Sequence, residues 1–390
     1  MSAASPDCTW HIITCEYPPT VGGVSDYSRT LATALSTTAR THVWAPGAAG
    51  VADEGGVAVH RTLGGFTPDD LTRAGQALDQ LPGPKRLLVQ WVPHGFGFRA
   101  MNVRFAWWLL MRATRHGDDL QVMVHEPFVM FAARPGQFVM ACVHRLMFTT
   151  ACAAASHVWT STPSWFARVT PYLLGRLTPR WLPVPAPPLD IRRADSIGPE
   201  THAATAPVVG HFGTHAPLVT ALLGPALDVV LAETQAHVVL IGRDSDRFLA
   251  EFLRTRPGAV ARVRATGVAE PAALAQQIAG CDLMLQPYPD GVSARRTSTL
   301  GLMKNGCAVV TNEGHLSEPF WREEGGLELV DRPDAAELGA AAVRLIADSA
   351  RRQALAERAS AVYDRTFDIR HSVRLLTTGQ AREQVEAVRA

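Results

Sequence analysis

A stretch of ten residues, "DGVSARRTST" (290–299), combines an acid, two cations and several hydroxyl groups. The guanidinium groups of Arg295 and Arg296 present forked donors that suit phosphate oxygens. The apolar run that follows predicts a helix, whose first amides would add donors for an anion. The pattern therefore indicates a site for a phosphate-bearing ligand, with a solvated turn as the alternative. The residues that we expect to contribute are Asp290, Gly291, Ser293, Arg295, Arg296, Ser298 and Thr299.

A second candidate loop contains two adjacent glycines, Gly22 and Gly23, between the apolar run "WHIITC" and a helical pattern. Tyr27, Leu31 and Leu35 follow four residues apart and give that helix one apolar face. Glycine lets a ligand approach the backbone closely, and the amides of a helix start attract anions. The loop is therefore a candidate site for a diphosphate or a sugar. A tight turn that needs glycine for its geometry alone is the alternative.

Two histidines follow predicted strands. His125 and Glu126 end the run "VMVHE", and His94 follows "WV" in "WVPHGFGF". A histidine in this position suits contact with a sugar hydroxyl, and a structural polar anchor is the alternative. Val129 stands four residues after His125, so this is not the His-Glu-x-x-His pattern of a zinc-binding helix.

Two further loops contain glycine next to a polar residue. Gly213 and Thr214 follow the run "PVVGHF", and Gly242 and Arg243 follow "HVVLI". Both loops come directly after predicted strands of the second half of the chain. We therefore expect them to contribute to the same site as the residues of 290–299.

These candidates must be positioned by a sheet, because each follows a short apolar strand and precedes a helical pattern. Such alternation predicts parallel sheets covered by helices on both faces, which bind ligands at the carboxyl ends of their strands. We predict an α/β protein with two doubly wound, Rossmann-like domains of similar size, facing each other across a cleft. The predicted segments are an N-terminal domain 1–185, a Pro-rich linker 186–206, a C-terminal domain 207–370 and a final helix 371–390.

The composition excludes some classes of protein. The chain has 390 residues and a formal net charge of +1, so no overall charge favours nucleic acid. Six cysteines without a Cys-x-x-Cys pair, and no signal-peptide pattern, predict a cytoplasmic protein with reduced thiols. The apolar run 103–117, flanked by arginines, is interpreted as a core helix. A helix lying on the inner face of a membrane is the alternative.

The motifs together resemble the glycosyltransferases of the GT-B fold, and within them the large retaining family 4. The similar segments are "YPPTVGGVSDYSRTLATAL", "VHEPF", "VVGHFG" with "VVLIGR", and "LQPYPDGVSARRTSTLGLMKNGCAVVTN", in which "DGVS-RR-S" is a variant donor-site pattern. The resemblance covers nearly the whole chain. It implies that the C-terminal helix packs back on the N-terminal domain.

The resemblance assigns expected roles. It places Gly22 and Gly23 near the donor diphosphate or sugar, and His125 near the reacting sugar. We predict His125, Glu126, Arg295 and Arg296 as the catalytic residues, and Glu16 and His94 on the acceptor side. Gly213, Thr214, Gly242 and Arg243 would bind the donor with the 290–299 segment. The chain departs from the family in lacking a Gly-Arg pair and a later Lys-Gly in the second domain, and two glutamates eight apart in the donor segment. We expect Arg295 and Arg296 to replace the missing cations.

The resemblance implies transfer of a sugar from a nucleoside diphosphate to a hydroxyl-bearing acceptor, with retention. The sequence has no compact acidic cluster for a metal, and no cofactor is expected. Trp91, Phe96, Phe98, Trp107 and Trp108 suggest an apolar acceptor surface, or alternatively core. A catalytically degenerate GT-B chain that binds a sugar nucleotide or a partner is the alternative function, and an epimerase or a phosphorylase is a further one.

Overall fold

The computed structural model describes residues 9–20, 22–186, 189 and 206–378. Most of the predicted linker 186–206 and residues 379–390 lie outside the described part of the chain. The chain divides into two compact units. Unit 1 runs to Val184 and resumes at Ile369, and unit 2 runs from Pro185 to Asp368.

Unit 1 is built on an eight-stranded sheet with the order β3-β4-β2-β1-β5-β6-β7-β8. All neighbouring strands are parallel except β3, which is antiparallel to β4. The central strands are buried along their whole length, as expected for a sheet with helices on both faces. The strands are β1 Thr9–Ile13, β2 Thr41–Trp44, β3 Val51–Asp53, β4 Val57–His60, β5 Lys85–Trp91, β6 Asp119–Val124, β7 His157–Thr160 and β8 Arg180–Trp181.

The described residues of unit 1 form six α-helices, and local sequence signals mark the start of several of them. The side chain of Thr67 and that of Asp70 form a reciprocal capping box at the start of α2, and Asn102 caps α3. The last described helix packs on the first, and its Ser372 hydroxyl donates to the carbonyl of Pro183, which follows the last strand of the sheet, at 2.7 Å. The helices are α1 Gly23–Ser36, α2 Pro68–Gln80, α3 Val103–Arg115, α4 Pro135–Cys152, α5 Phe166–Val169 and α13 Ile369–Thr378.

Unit 2 is built on a six-stranded, fully parallel sheet with the order β11-β10-β9-β12-β13-β14. Its strands are β9 Val208–Phe212, β10 His237–Ile241, β11 Val263–Ala265, β12 Leu283–Gln286, β13 Val309–Asn312 and β14 Glu328–Val330. Its helices are α6 Pro217–Glu233, α7 Ser245–Thr255, α8 Pro271–Ala279, α9 Thr297–Lys304, α10 Phe320–Glu324, α11 Ala335–Ala347 and α12 Ser349–Thr366.

Each sheet has one point where the order of the strands reverses, and these points position the candidate residues. In unit 1 the chain moves from β1 to one side and then returns to β5 on the other, and in unit 2 the same happens at β9 and β12. Ligands of doubly wound sheets bind beyond the carboxyl ends of the strands at such reversals. The loops after β1, β5, β9 and β12 are therefore the expected ligand-binding loops of the two sheets.

The helix α3, expected as a core helix, is buried on one face only. Phe105, Ala106 and Leu109 are fully buried, and the guanidinium of Arg112 is buried between Asp79 and Asp118 at 2.6 Å from each. Trp107 is 56 % exposed. Of the other candidates for an apolar surface, Trp91 and Phe96 belong to the core, whereas Phe98 is exposed. Within the described residues, no helix is long and apolar enough to cross a bilayer.

Candidate functional site

Contacts in the loop after β1 explain why residue 22 is a glycine. One carboxylate oxygen of Glu16 accepts hydrogen bonds from the amides of Val24 and Ser25, each at 3.0 Å. A Cβ on Gly22 would lie 2.5 Å from a carboxylate oxygen of Glu16, whereas a Cβ on Gly23 would meet nothing within 4 Å. The carboxylate of Glu16 therefore already occupies the start of α1, the position that the sequence marks for a ligand anion. Only Gly23 borders open space.

The histidine at the end of β6 is held as a neutral side chain. The His125 Nε2 lies 2.7 Å from Gln90 Oε1, and the ring lies edge-on to Tyr27 at 5.0 Å. Burial lowers the pKa of His125 to about 3, so the imidazole is uncharged near neutrality. Donation from Nε2 to the amide oxygen leaves Nδ1 as an acceptor. The side chain can thus accept a hydroxyl proton in a hydrogen bond, but it is a poor base.

The other two candidates on this edge of unit 1 are exposed. Glu126 lies one residue after His125 and is exposed, and its amide donates to the Trp91 carbonyl at 3.3 Å. His94 lies in a short turn after β5, is exposed, and its ring meets that of His144 on α4 at 5.1 Å. Both side chains can reach a ligand at the reversal point of unit 1.

In unit 2, the loops after β9 and β10 lie side by side. The Gly213 amide donates to the Ile241 carbonyl at 3.0 Å, and the His215 amide donates to the Arg243 carbonyl at 3.1 Å. Gly242 has φ +112°, and a Cβ there would overlap the Gly213 carbonyl oxygen. The glycine at 242 is therefore required by the close approach of the two loops. Thr214 and Arg243 are exposed at the surface of this pair of loops.

The loop after β12 is fixed to the loop after β13. The Asn312 side chain bonds both the amide and the carbonyl of Tyr288, at 2.9 and 2.7 Å. Gly291 has φ +86°, and a Cβ there would overlap the Gly314 amide nitrogen and the Ser317 hydroxyl. The backbone of the predicted donor segment is therefore tightly determined before any ligand binds.

The cations of this segment are paired with its own acid. Arg296 forms an ion pair with Asp290 and lies over the Tyr288 ring at 4.4 Å, and Arg295 lies 3.6 Å from Asp290. The three charged side chains are 24–29 % exposed. Partly exposed ion pairs contribute little net stability, so an incoming phosphate can replace the carboxylate at low cost.

The hydroxyls and the amides at the start of α9 differ in whether they already have a hydrogen-bond partner. The hydroxyls of Ser298 and Thr299 lie 3.0 and 2.8 Å from the Tyr288 hydroxyl, and the buried Ser293 hydroxyl has no hydrogen-bond partner among the described residues. In the same part of the chain, no hydrogen bond is recorded for the amides of Ser298 and Thr299. These two amides and the nearby guanidinium groups are therefore the candidate groups for binding an anion.

Glu318 is a residue of this site that the sequence analysis missed. Its carboxylate is buried, accepts the Ala294 amide at 3.1 and 3.2 Å, and accepts the Trp321 indole N–H at 2.7 Å. It therefore holds the backbone between Ser293 and Arg295. Glu318 lies 24 residues after Ala294 and follows a different strand, so no local pattern identifies it.

The described part of the chain offers little else that could bind a ligand near these loops. No group of three or more His, Cys, Asp or Glu side chains there could hold a metal ion. A cavity of about 710 Å³ lies along α6 and α7 and touches the candidate loops only at His215. Arg295 and Arg296 do not line it.

Comparison with known proteins identifies the fold. No sequence family model and no curated protein matches the chain. The structure is similar to that of sucrose-phosphate synthase from Thermosynechococcus elongatus, with 16 % identity, a TM-score of 0.67, and coverage of 98 % of this chain and 99 % of that chain. It is also similar to HepE of Anabaena in complex with UDP, with 17 % identity, a TM-score of 0.64, and coverage of 95 % and 98 %.

A third similar structure is the α,α-trehalose-phosphate synthase (UDP-forming) of Burkholderia vietnamiensis, with 14 % identity, a TM-score of 0.67, and coverage of 95 % and 98 %. These likenesses confirm the fold class predicted from the sequence: the chain has the GT-B fold, with two Rossmann-like, parallel-sheet units. Sequence identities of 14–17 % establish a similarity of fold only. The resemblance to family 4 therefore stays a prediction.

Proposed function

We propose that this chain is a glycosyltransferase that takes a sugar from a nucleoside diphosphate donor and transfers it to a hydroxyl-bearing acceptor. The observation that carries the proposal is the candidate anion site of unit 2, where Arg295 and Arg296 precede the amides of Ser298 and Thr299, which form no hydrogen bond within the described residues. Two of the similar structures are described as HepE with UDP and HepE with UDP-glucose, which supports a sugar nucleotide as ligand.

In this proposal the residues of unit 2 stabilise the leaving group. Negative charge grows on the diphosphate as its bond to the sugar breaks, and fixed guanidinium groups and helix amides stabilise that charge without reorganisation. Glu318 contributes indirectly, because it fixes the backbone of Ala294 next to the two arginines. Gly213 and Thr214 provide the adjacent loop surface, and the family resemblance gives them a role in donor binding.

In unit 1 we assign His125 to hydrogen bonding with a sugar hydroxyl, because its buried imidazole is neutral and Nδ1 can accept. We further propose, from the family resemblance, that the configuration of the sugar is retained, that no metal is needed and that the leaving phosphate helps to deprotonate the acceptor. Exposed Glu126 and His94 lie near the same edge and are the candidates for contacts with the acceptor.

A second candidate function is a chain of this fold that binds a sugar nucleotide or a partner without turnover. Two contacts favour it: Glu16 occupies the amides at the start of α1, and Asp290 pairs with the arginines before α9. If neither carboxylate gives way, no donor phosphate can use these groups.

The test is binding followed by turnover. Thermal unfolding should be measured with UDP, GDP, dTDP and ADP and their sugars, because a ligand specific for the folded chain raises the melting temperature. We expect one nucleotide family to do so, and the Arg295→Ala/Arg296→Ala double variant to bind it more weakly by roughly 100-fold or more, since charge-assisted hydrogen bonds contribute about 1.5–3 kcal/mol each. Arg332→Ala, which removes an exposed ion-paired arginine, is the matched control.

The outcomes separate the candidates. Binding together with slow release of free sugar, or with transfer to an added acceptor, supports the transferase. Binding without either reaction supports the non-catalytic chain. No binding to any nucleotide, or equal weakening by Arg332→Ala, would contradict the proposed donor site.

A further inference from the structure

Exposed apolar side chains are concentrated on one part of unit 1. Of the thirteen large hydrophobic residues exposed in the described chain, nine lie between residues 98 and 174. Isolated exposed apolar residues are ordinary, but a cluster of them marks an interaction surface. Six of these residues, each at least 50 % exposed, define what we call the α3–α4 face: Phe98, Trp107, Met130, Phe131, Phe138 and Leu146.

These residues lie on neighbouring elements of unit 1. The rings of Phe131 and Phe138 lie 5.2 Å apart, and α3 packs against α4. The outward side of α4 shows Phe138, Cys142 and Leu146 at intervals of four residues, which places them on one helical face. No charged residue interrupts this outward row.

The turn that bears Phe98 is fixed to α4 in an unfavourable conformation. Phe98, Arg99 and Ala100 have φ of 49°, 51° and 70°, in the left-handed region that costs non-glycine residues free energy. His144 on α4 holds the turn, with its Nε2 2.8 Å from the Ala100 carbonyl oxygen. The result is a turn whose aromatic and cationic side chains both point into solvent, since Phe98 and Arg99 are exposed.

The charge of this region differs from that of the whole chain. Residues 93–189 contain nine arginines and only three acids, Asp118, Asp119 and Glu126, although the formal net charge of the chain is +1. Asp118 is buried against Arg112, and Asp119 lies 3.5 Å from Arg86, so neither offsets the exposed arginines. From residue 127 to 189 the sequence contains no acid at all.

Several arginines border the apolar residues directly. Arg145 lies 3.9 Å from the centre of the Phe131 ring, and Arg168 Nη1 lies 3.9 Å from the Met130 sulfur. Arg99 and Arg134 are exposed beside Phe98 and at the start of α4. Apolar side chains ringed by arginine match the interfacial zone of a bilayer, where acyl chains lie beneath anionic phosphate groups.

We propose that the α3–α4 face docks unit 1 on the surface of a bilayer that contains anionic lipid. A second copy of the chain suits this face less well, because two such arginine-rich surfaces repel each other. Phe98, Phe131, Phe138 and Leu146 enter the interface, and the neighbouring arginines contact phosphate groups. This inference does not depend on the proposed function.

The test uses flotation of the full chain with vesicles of phosphatidylcholine, alone or mixed with phosphatidylglycerol, at low and high salt. We expect binding to the mixed vesicles at low salt and its loss at high salt, because salt screens the arginines. Leu146→Glu should weaken binding roughly tenfold or more, since it places a charge in the interface. Arg134→Ala should weaken it roughly fivefold.

The matched control is Leu218→Glu at the start of α6 in unit 2, because Leu218 is 72 % exposed and lies on the other unit. It should bind as the unaltered chain does, and the melting temperatures should show that every variant is folded. Absence of binding to all vesicles, or equal loss in Leu218→Glu, overturns the proposal. So does a dimer in sedimentation that Leu146→Glu converts to monomer, which would assign the face to a second copy.

Discussion

At the start of α1 the Glu16 carboxylate accepts two backbone amides, whereas before α9 the Asp290 carboxylate pairs with two arginine side chains. Both loops follow a strand at the reversal point of a parallel sheet, and each holds an acid of the chain where the sequence predicts a bound anion. In unit 1 the acid covers the amides of Val24 and Ser25. In unit 2 the corresponding amides, those of Ser298 and Thr299, form no hydrogen bond in the described structure.

This difference indicates that Glu16 is a structural acid, whereas a ligand phosphate can take the place of the Asp290 carboxylate. Glu16 fits against Gly22, so its carboxylate takes the place of the N-cap side chain that glycine lacks. The Asp290 carboxylate pairs with arginine side chains, and these can turn toward a phosphate while the backbone stays in place. An anion site inferred from glycines and a helix start can therefore be filled by the chain itself, whereas unoccupied amides beside arginines indicate a site that is open to a ligand.

The interiors of the two units also differ. In unit 1 the neighbouring strands β1, β2 and β4 place His11, His42 and His60 in a buried row, with successive rings 5.0 and 5.1 Å apart, and His144 is buried on α4. Within its described residues, unit 2 has two buried histidines, His211 and His215, whose rings are 4.9 Å apart. Burial lowers the pKa of His11 to about 2, of His60 to about 4 and of His211 to about 3, and it also lowers the pKa of His42, His144 and His215.

The largest expected effect is that acid destabilises unit 1 more than unit 2. The buried histidines are neutral in the folded chain, whereas in the unfolded chain they gain a proton near pH 6.5. Their contribution to stability is therefore complete above pH 6.5 and is lost as the pH falls toward the folded pKa values. Each such histidine costs about 1.4 kcal/mol per pH unit in this window. Among the described residues, unit 1 has four buried histidines and also His125 and His157, whose pKa values burial likewise lowers, whereas unit 2 has two.

Tryptophan fluorescence can follow this acid transition, because eight of the nine tryptophans lie in unit 1 and only Trp321 lies in unit 2. His60→Gln keeps a hydrogen-bonding side chain next to His42 and should move the midpoint to lower pH, while His237→Gln at an exposed position should leave it unchanged. Hydrogen exchange resolved by peptide would contradict the prediction if both units lost protection at the same pH.

The fold was predictable because the buried parallel strands are nearly continuous apolar runs. The sequence predicts twelve strands, and all are present within about two residues of the predicted bounds. The predicted ranges are 10–15, 41–46, 57–62, 86–92, 120–126, 157–162, 207–213, 237–243, 262–267, 282–288, 307–312 and 327–331. The two that were missed, β3 and β8, are short edge strands, and the three residues of β3 are exposed, so hydrophobicity gives no sign of them. A strand that pairs at an edge and buries nothing leaves no pattern in the sequence.

The sequence predicted only those residues of the candidate site that lie together in a single loop. The amides and arginines around α9 follow from the segment 290–299 by itself. The pairing of Glu16 with the α1 amides and the contact of Glu318 with Ala294 join residues 8, 9 and 24 positions apart, and they depend on how the loops fold back. No residue type or spacing encodes these contacts, so the sequence could not show which amides are occupied.

The next largest expected effect is on stability, when Gly291 or Gly22 is replaced by a residue with a Cβ. Gly291→Ala should destabilise unit 2 by about 3 kcal/mol or more, because the residue has φ +86° and a Cβ would overlap backbone. Gly22→Ala should cost about 1 kcal/mol, since its Cβ meets only the movable end of Glu16. Chemical denaturation measures both, and Gly23→Ala, with nothing near its Cβ, is the control that should lose no stability. A larger loss for Gly22→Ala than for Gly291→Ala would reverse the comparison of the loops.

The smallest effect decides whether the two acids differ as proposed. Asp290→Asn removes the carboxylate that competes for Arg295 and Arg296, so a nucleoside diphosphate should bind up to about fivefold more tightly, the equivalent of a partly exposed ion pair. Glu16→Gln should leave that affinity unchanged and lower stability by about 0.5–1 kcal/mol, because a neutral amide caps the positive end of α1 less well. Calorimetric titration gives the affinities. If Asp290→Asn bound the nucleotide more weakly, Asp290 would be a ligand-binding residue and no competitor. If Glu16→Gln changed the affinity, the start of α1 would have to be counted as part of the donor site.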